Sequence, residues 1–274
     1  MNPREPRSLT HRGSVLEPIG LEELNEAAAL QTRIDRKYVV DAGLANALFA
    51  GLPRDTRVLE IGGLRRFRYD SVYFDTPELT AYRLAAAGRR RRFKIRTRTY
   101  LDTGTAFLEV KTEGARAATV KERIPHAPAD RSRLTPEGAA YVAETLAAAL
   151  GPGSAPDTAL LRPVVETAYS RTTLYLPGSG ARATIDEDAT WRLPGGPAWT
   201  LDGRVIVETK SGSRPGELDR MLWRHGVRPA KISKFATGLA ALDPRLPSNK
   251  WTRTLRRGLP LRAGETPPLL RATS

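Results

Sequence analysis

Five stretches of this chain put charged or polar side chains at every second position, with mostly apolar or small residues between them. In Phe93-Lys94-Ile95-Arg96-Thr97-Arg98, one set is Lys94, Arg96 and Arg98 and the other is Phe93, Ile95 and Thr97. Successive side chains of a strand point to opposite faces, so such a stretch predicts a strand with one cationic face and one apolar face. Four other segments repeat the pattern: Glu109 with Lys111 against Leu108 and Val110; Glu208 with Lys210; Arg182, Thr184 and Asp186; and Arg33, Asp35 and Lys37. A chain built this way is directed toward an antiparallel sheet.

The plain alternative is that each charged face is the wet outer side of a half-buried sheet, which is common for any one strand. Five such faces together, with several helices needing an apolar sheet face to rest on, point to another arrangement. The expected fold is α+β: a closed eight-stranded antiparallel β-barrel with helices packed around it and the charged faces lining a tunnel. Eight strands are enough to close a barrel. Cations crowded there would repel one another unless an anion filled the space.

The wider charge balance agrees. Lys plus Arg number 44 against 30 Asp plus Glu, a net charge of +14. That surplus speaks of anionic partners rather than of fold. There is no cysteine, so disulfides, thiolate metal sites and cysteine nucleophiles are excluded. No apolar run approaches the roughly 20 residues of a membrane helix, and Met1 to Gly13 is polar, without the apolar stretch expected of a signal peptide. A cytoplasmic protein is expected. Nucleic acid would explain the charge but not its alternation, and an aromatic content of 7% is poor in stacking platforms.

Turn and cap signals divide the rest. Residues 1–19 and 247–274 read as Pro/Arg-rich tails flanking one domain at 20–246. Helices are expected at Gly20–Leu30, from the Asp41 cap to Leu52, from the Thr76 cap to Ala87, from the Thr135 cap to Leu150, at Glu217–His225 and at Ser233–Leu242. Strands are expected at Thr32–Val40, Arg65–Phe74, Arg91–Tyr100, Ala106–Thr112, Ala118–Pro125, Pro163–Leu176, Ala181–Leu193 and Arg204–Lys210. A helix beginning near Lys231 would put Lys231 and Lys234 on one side. No P-loop occurs.

The order of Arg36-Lys37-Tyr38, Ser71-Val72-Tyr73-Phe74-Asp75-Thr76, Ile95-Arg96-Thr97-Arg98, Phe107-Leu108-Glu109-Val110-Lys111, Tyr169-Ser170-Arg171, Arg182 to Asp186, Val207-Glu208-Thr209-Lys210 and Pro229-Ala230-Lys231-Ile232-Ser233-Lys234-Phe235 resembles the VTC domain, a polyphosphate polymerase domain of the triphosphate tunnel metalloenzymes, a CYTH-like superfamily. The resemblance spans roughly residues 30 to 242.

It implies a basic tunnel, a divalent metal (Mn2+ or Mg2+), and transfer of the γ-phosphate of ATP to polyphosphate. By motif, Lys37, Arg96, Arg98, Lys111, Arg171, Arg182, Lys231 and Lys234 correspond to the phosphate-binding set, with Arg96, Arg98, Lys111, Arg171 and Arg182 as the catalytic clamp. Arg83 matches a further member. Lys94 and Lys210 share the charged faces with that set. Glu208 resembles the metal-binding glutamate, and Glu109 joins it by alternation. The superfamily often opens on Glu-x-Glu-x-Lys, whereas this chain has Arg33-x-Asp35-x-Lys37, which favours phosphate-chain binding with sparse metal ligation. A tripolyphosphate or nucleoside-triphosphate hydrolase and a non-catalytic polyphosphate-binding module are the alternatives. Coupling synthesis to translocation would require a separate membrane-protein partner.

Overall fold

The computed structural model describes residues 15–28, 34–113, 119–151, 153–259 and 261–264. Arg33, and most of the expected N-terminal tail, lie outside the described residues. The chain divides into two compact units. One comprises residues 1–67, 169–189 and 201–231, and the other residues 68–168, 190–200 and 232–274.

The first unit holds β1 (Glu17–Ile19), α1 (Leu21–Ala27), β2 (Ile34–Asp41), α2 (Ala42–Ala50), β3 (Arg57–Leu59), β11 (Arg204–Ser211) and α5 (Glu217–Arg224). Asp41 starts α2 as expected, accepting the amide hydrogens of Gly43 and Leu44 at 2.9 and 3.1 Å. The helices α2 and α5 supply Ala45, Leu48, Leu218, Met221 and Leu222 to a core with Tyr38, Val40, Val205 and Val207. These strand residues alternate with the charged ones, so burying one face leaves Lys37, Glu208 and Lys210 on the other.

The second unit holds most of β4 (Arg66–Asp75), then α3 (Thr80–Ala86), β5 (Arg92–Tyr100), β6 (Thr105–Glu113), β7 (Thr119–His126), α4 (Pro136–Leu150), α6 (Ala236–Leu242), α7 (Thr252–Gly258) and β12 (Leu261–Gly264). Thr135 caps α4 by accepting from the Gly138 amide at 3.1 Å. A Cβ on Gly138 would lie 2.9 Å from Leu108, so glycine lets α4 approach the apolar face of β6 closely. Phe93, Ile95, Leu108 and Val110 are buried there with Val142 and Leu146.

Two local expectations are corrected here. The helix after β4 starts at Thr80, not at Pro77. Its leading cap is Asp75, whose carboxylate accepts from the amides of Thr76, Ala81 and Tyr82 at 2.8–2.9 Å. The expected Thr76 cap takes one donor, its hydroxyl accepting from the Thr80 amide at 3.2 Å, while Asp75 takes Ala81 and Tyr82, and Leu79 closes the intervening turn at φ 58°. The last helix of the expected domain starts at Ala236, beyond both Lys231 and Lys234. The Ser233 hydroxyl accepts from the Ala236 amide at 3.3 Å and its carbonyl from the Thr237 amide at 2.9 Å, so Ser233 caps the helix from outside and the start falls later. Further along, Trp251 is buried and its ring lies 5.8 Å from that of Tyr82.

β8 (Arg162–Leu176), β9 (Ala181–Arg192) and β10 (Ala198–Leu201) complete the strands. The twelve-stranded sheet runs β12-β10-β9-β8-β4-β5-β6-β7, with β2 joined to β11, β11 to β9, and β1 through β3 to β8. β1 and β3 are parallel. The expectation of a closed eight-stranded barrel is therefore wrong: among the described residues the sheet is open and branched, with helices around it. The branching follows from strand length. β9 gives Arg182 to Asp186 to β11 and Thr190 to Arg192 to β10, so a long strand takes different partners at its two ends. Strand number alone does not specify closure.

Candidate functional site

Strand register brings the predicted charges together on one face in each unit. In the first unit, β2, β11 and β9 lie side by side. Lys37 stands opposite Glu208, and Glu208 opposite Thr184. In the next row Asp35 stands opposite Lys210, and Lys210 opposite Arg182. Glu208 Oε1 lies 3.0 Å from Lys37 Nζ and 3.8 Å from Lys210 Nζ. Arg171 from β8 makes a two-point contact with Asp186, Nε to Oδ1 at 2.6 Å and Nη2 to Oδ2 at 2.8 Å. Burial alone would push the Glu208 carboxyl up, but Lys37, Lys210 and Arg171 hold it down at about 2. This face keeps a glutamate ionised among cations.

Asp219 supports the face from behind. Fully buried, it accepts from Tyr38 Oη at 2.7 Å, Thr209 Oγ1 at 2.6 Å and the Gly216 amide at 2.9 Å. Tyr38 and Thr209 are the chain neighbours of Lys37, Glu208 and Lys210, so Asp219 ties together the two strands that carry them.

In the second unit β4 to β7 make a second face. Its rows read Lys94, Lys111 and Lys121; then Tyr73, Arg96, Glu109 and Arg123; then Ser71, Arg98 and Phe107. Glu109 Oε2 receives Arg96 Nε at 2.8 Å, and Glu109 Oε1 lies 2.6 Å from Lys121 Nζ. Burial pushes Glu109 up, but Arg96, Arg98 and Lys121 hold its carboxyl at about 2. Arg96 also donates to Tyr73 Oη at 3.0 Å, and Lys94 Nζ reaches Ser233 Oγ at 3.3 Å.

Three predicted residues sit apart from these rows. Arg83 is exposed on α3, its Nε donating to the carbonyl of Glu78 at 2.7 Å. Lys231 is exposed in a segment without regular structure, anchored next door by the Ala230 amide donating to the Lys37 carbonyl at 2.7 Å. The Lys234 carbonyl accepts from the buried indole of Trp191 at 2.7 Å. Sequence reasoning did not assign Lys121 and Arg123, because the charged Glu122 between them breaks the alternation of charged and apolar positions. It also gave no sign that Asp186 would be engaged by Arg171.

Among the described residues no group of three His, Asp or Glu side chains could form a metal cage. An ionised Glu208 fits a hard divalent ion of the kind that takes one or two carboxylates and completes its shell with substrate phosphate oxygens and water. Glu109, engaged by Arg96 and Lys121, fits a structural counter-charge better.

The family model described as VTC domain matches residues 32–243. No curated protein matches the chain. Similar solved structures include a putative adenylyl cyclase from Hippeastrum described as having a dominant triphosphatase activity, at 15% identity over 75% of this chain and 94% of that one, with a TM-score of 0.45. A putative adenylate cyclase from Vibrio parahaemolyticus shares 14% identity over 77% and 86% of the two chains, with a TM-score of 0.38. These likenesses are too distant to carry an argument about chemistry.

Proposed function

Since the chain belongs to the VTC-domain family, we propose that it is a polyphosphate polymerase that transfers the γ-phosphate of ATP to a polyphosphate chain. The observation that carries this reading is the first unit's face, where Glu208 stays ionised among Lys37, Lys210 and Arg171, with Arg182 beside Lys210. Cations there can neutralise phosphate oxygens, and the carboxylate can take the metal.

Phosphoryl transfer depends on positioning and charge stabilisation more than on covalent help from the protein. Lys37, Lys210, Arg171 and Arg182 would hold the reacting phosphates. Arg96, Arg98, Lys111 and Lys94 offer a second run of cations of the same kind, and Lys231 and Lys234 are assigned to the acceptor or leaving polymer. A terminal oxygen of the acceptor attacks the γ-phosphorus, the bond to the β-phosphate oxygen breaks, and ADP leaves. Mn2+ or Mg2+ held by Glu208 would offset charge on the phosphate oxygens.

No described helix is long and apolar enough to cross a membrane; a membrane-protein partner belongs to this proposal only as the means of coupling synthesis to translocation.

The test is one reaction with ATP and manganese, read by gel for polymer and by colour for free phosphate, beside Glu208→Gln. A polymer ladder that disappears in the variant supports the polymerase. Phosphate release without a ladder would replace it with a triphosphate hydrolase, and tight polyphosphate binding with neither product would leave a binding module.

A further inference from the structure

Arg83 and the arginine-rich segment near the C-terminus take no part in the charged faces. Both belong to the second unit, and they meet at α3. The chain leaves the end of α3 through Arg89-Arg90-Arg91, whose side chains are all exposed. Lys250 Nζ donates to the carbonyl of Ala85, in the last turn of α3, at 2.9 Å, and the Tyr82 hydroxyl donates to the carbonyl of Pro247 at 2.9 Å. These contacts seat the start of α7 on the helix that carries Arg83. On α7, Arg253 and Arg256 are exposed, while Thr254 and the preceding Trp251 are buried. Six exposed arginines thus gather around one helix. Carboxylates do not offset them: Asp243 is engaged by Arg245 at 2.9 Å and Glu113 by Arg92, which leaves Glu78 as the exposed acid of the preceding turn.

We infer that this arginine patch docks the protein on an anionic lipid bilayer. The six arginines stand on a helix, a turn and a second helix, not in register on neighbouring strands. They therefore offer no row along which a single phosphate chain could lie. A bilayer surface meets scattered cations one by one with phosphodiester headgroups, which a guanidinium grips through paired hydrogen bonds. Clusters of about four to eight basic residues are of the size that holds a protein at an anionic leaflet. Among the described residues no large apolar side chain is exposed on α3 or α7. The contact is therefore electrostatic, without insertion, and reversed by salt.

The experiment is co-sedimentation of the full chain with phosphatidylcholine vesicles, with and without phosphatidylglycerol, at low and at high salt. The wild-type protein should pellet only with phosphatidylglycerol present and only at low salt. Arg89→Gln/Arg90→Gln/Arg91→Gln should bind these vesicles about a hundredfold more weakly, and Arg253→Gln/Arg256→Gln about thirtyfold, since each arginine near the surface contributes about fivefold. Both variants should keep tripolyphosphate affinity within about twofold, because the substituted side chains lie off the charged faces. Arg214→Gln/Arg220→Gln/Arg224→Gln removes as much exposed charge elsewhere and should bind vesicles like the wild type. An equal loss in that control would mean that net charge alone drives adsorption and would overturn the inference. So would binding to phosphatidylcholine alone, binding to neither vesicle, or variants that pellet like the wild type. Binding to anionic vesicles by a chain that binds no tripolyphosphate would leave the docking surface standing and remove the phosphate reading.

Discussion

Glu109 and Asp70 lie in the same unit and are almost equally buried, 2% and 4% exposed, yet their carboxyls are displaced in opposite directions. Register places them on opposite faces of the sheet: Asp70 pairs with Thr99, whereas Glu109 pairs with Arg96. Glu109 is held at about 2 by Arg96, Arg98 and Lys121 against the upward push of burial. Asp70 is pushed up to about 6 by burial, against the Arg131 guanidinium 2.6 Å away, while Glu166 adds to the rise. Arg131 is shared, since its Nη2 also reaches Glu166 at 3.2 Å, and Arg192 meets Glu166 at 2.5 Å. At equal burial, the number of cations per carboxylate decides the sign. The Glu109 face carries more cations than carboxylates, which suits an anionic ligand. In the Asp70 network Arg131 and Arg192 are matched by Asp70 and Glu166.

Removing one cation should break the comparison most sharply. Arg131→Ala should cost about 3–5 kcal/mol at pH 7, because two buried carboxylates lose a shared partner. Urea denaturation measures this, and the loss should shrink below pH 6 as Asp70 takes up a proton. Glu109→Gln should cost about 3 kcal/mol at pH 7. The folded carboxyl titrates at about 2 against an ordinary 4.5, so its contribution is present above pH 4.5 and lost as pH falls toward 2.

The opposite sign applies to Asp70. Its folded value of about 6 exceeds the ordinary 3.8, so its contribution is full below pH 3.8 and lost as pH rises through 6. Asp70→Asn should therefore stabilise the protein at pH 7, by about 1–3 kcal/mol, and change little at about pH 4. A destabilised Asp70→Asn at pH 7 would mean that the Arg131 contact outweighs burial. Smallest in folding should be Lys210→Gln, within about 1 kcal/mol for a partly exposed pair. Polyphosphate binding should nonetheless weaken several-fold in that variant, as a titration would read.

The charged faces were legible because a strand's period of two leaves no choice once one face is apolar. Val205 and Val207 went to the core, and Glu208 and Lys210 had to go to the other side. The same logic covered Arg96, Arg98 and Lys111. Closure of the sheet was not legible, because it depends on which partner each end of β9 selects, and nothing local in Ala181–Arg192 encodes that choice. The Asp70–Arg131–Glu166–Arg192 network was hidden for a related reason: its members come from β4, the loop after β7, β8 and β9, so no spacing in the chain links them. The late start of α6 turns on the Ser233 hydroxyl, which takes the Ala236 amide and so stands outside the helix that its sequence position suggests it would open.

The most direct test of the account is calorimetric binding of tripolyphosphate to the wild-type chain and to Lys37→Gln and Arg182→Gln, at low and at high salt. The account predicts binding at low salt that falls steeply as salt screens the cationic faces, and a loss of about tenfold or more in each variant at low salt, as expected when a charge-assisted contact to phosphate is removed. Absence of binding at low salt, or affinities that neither substitution changes, would contradict it.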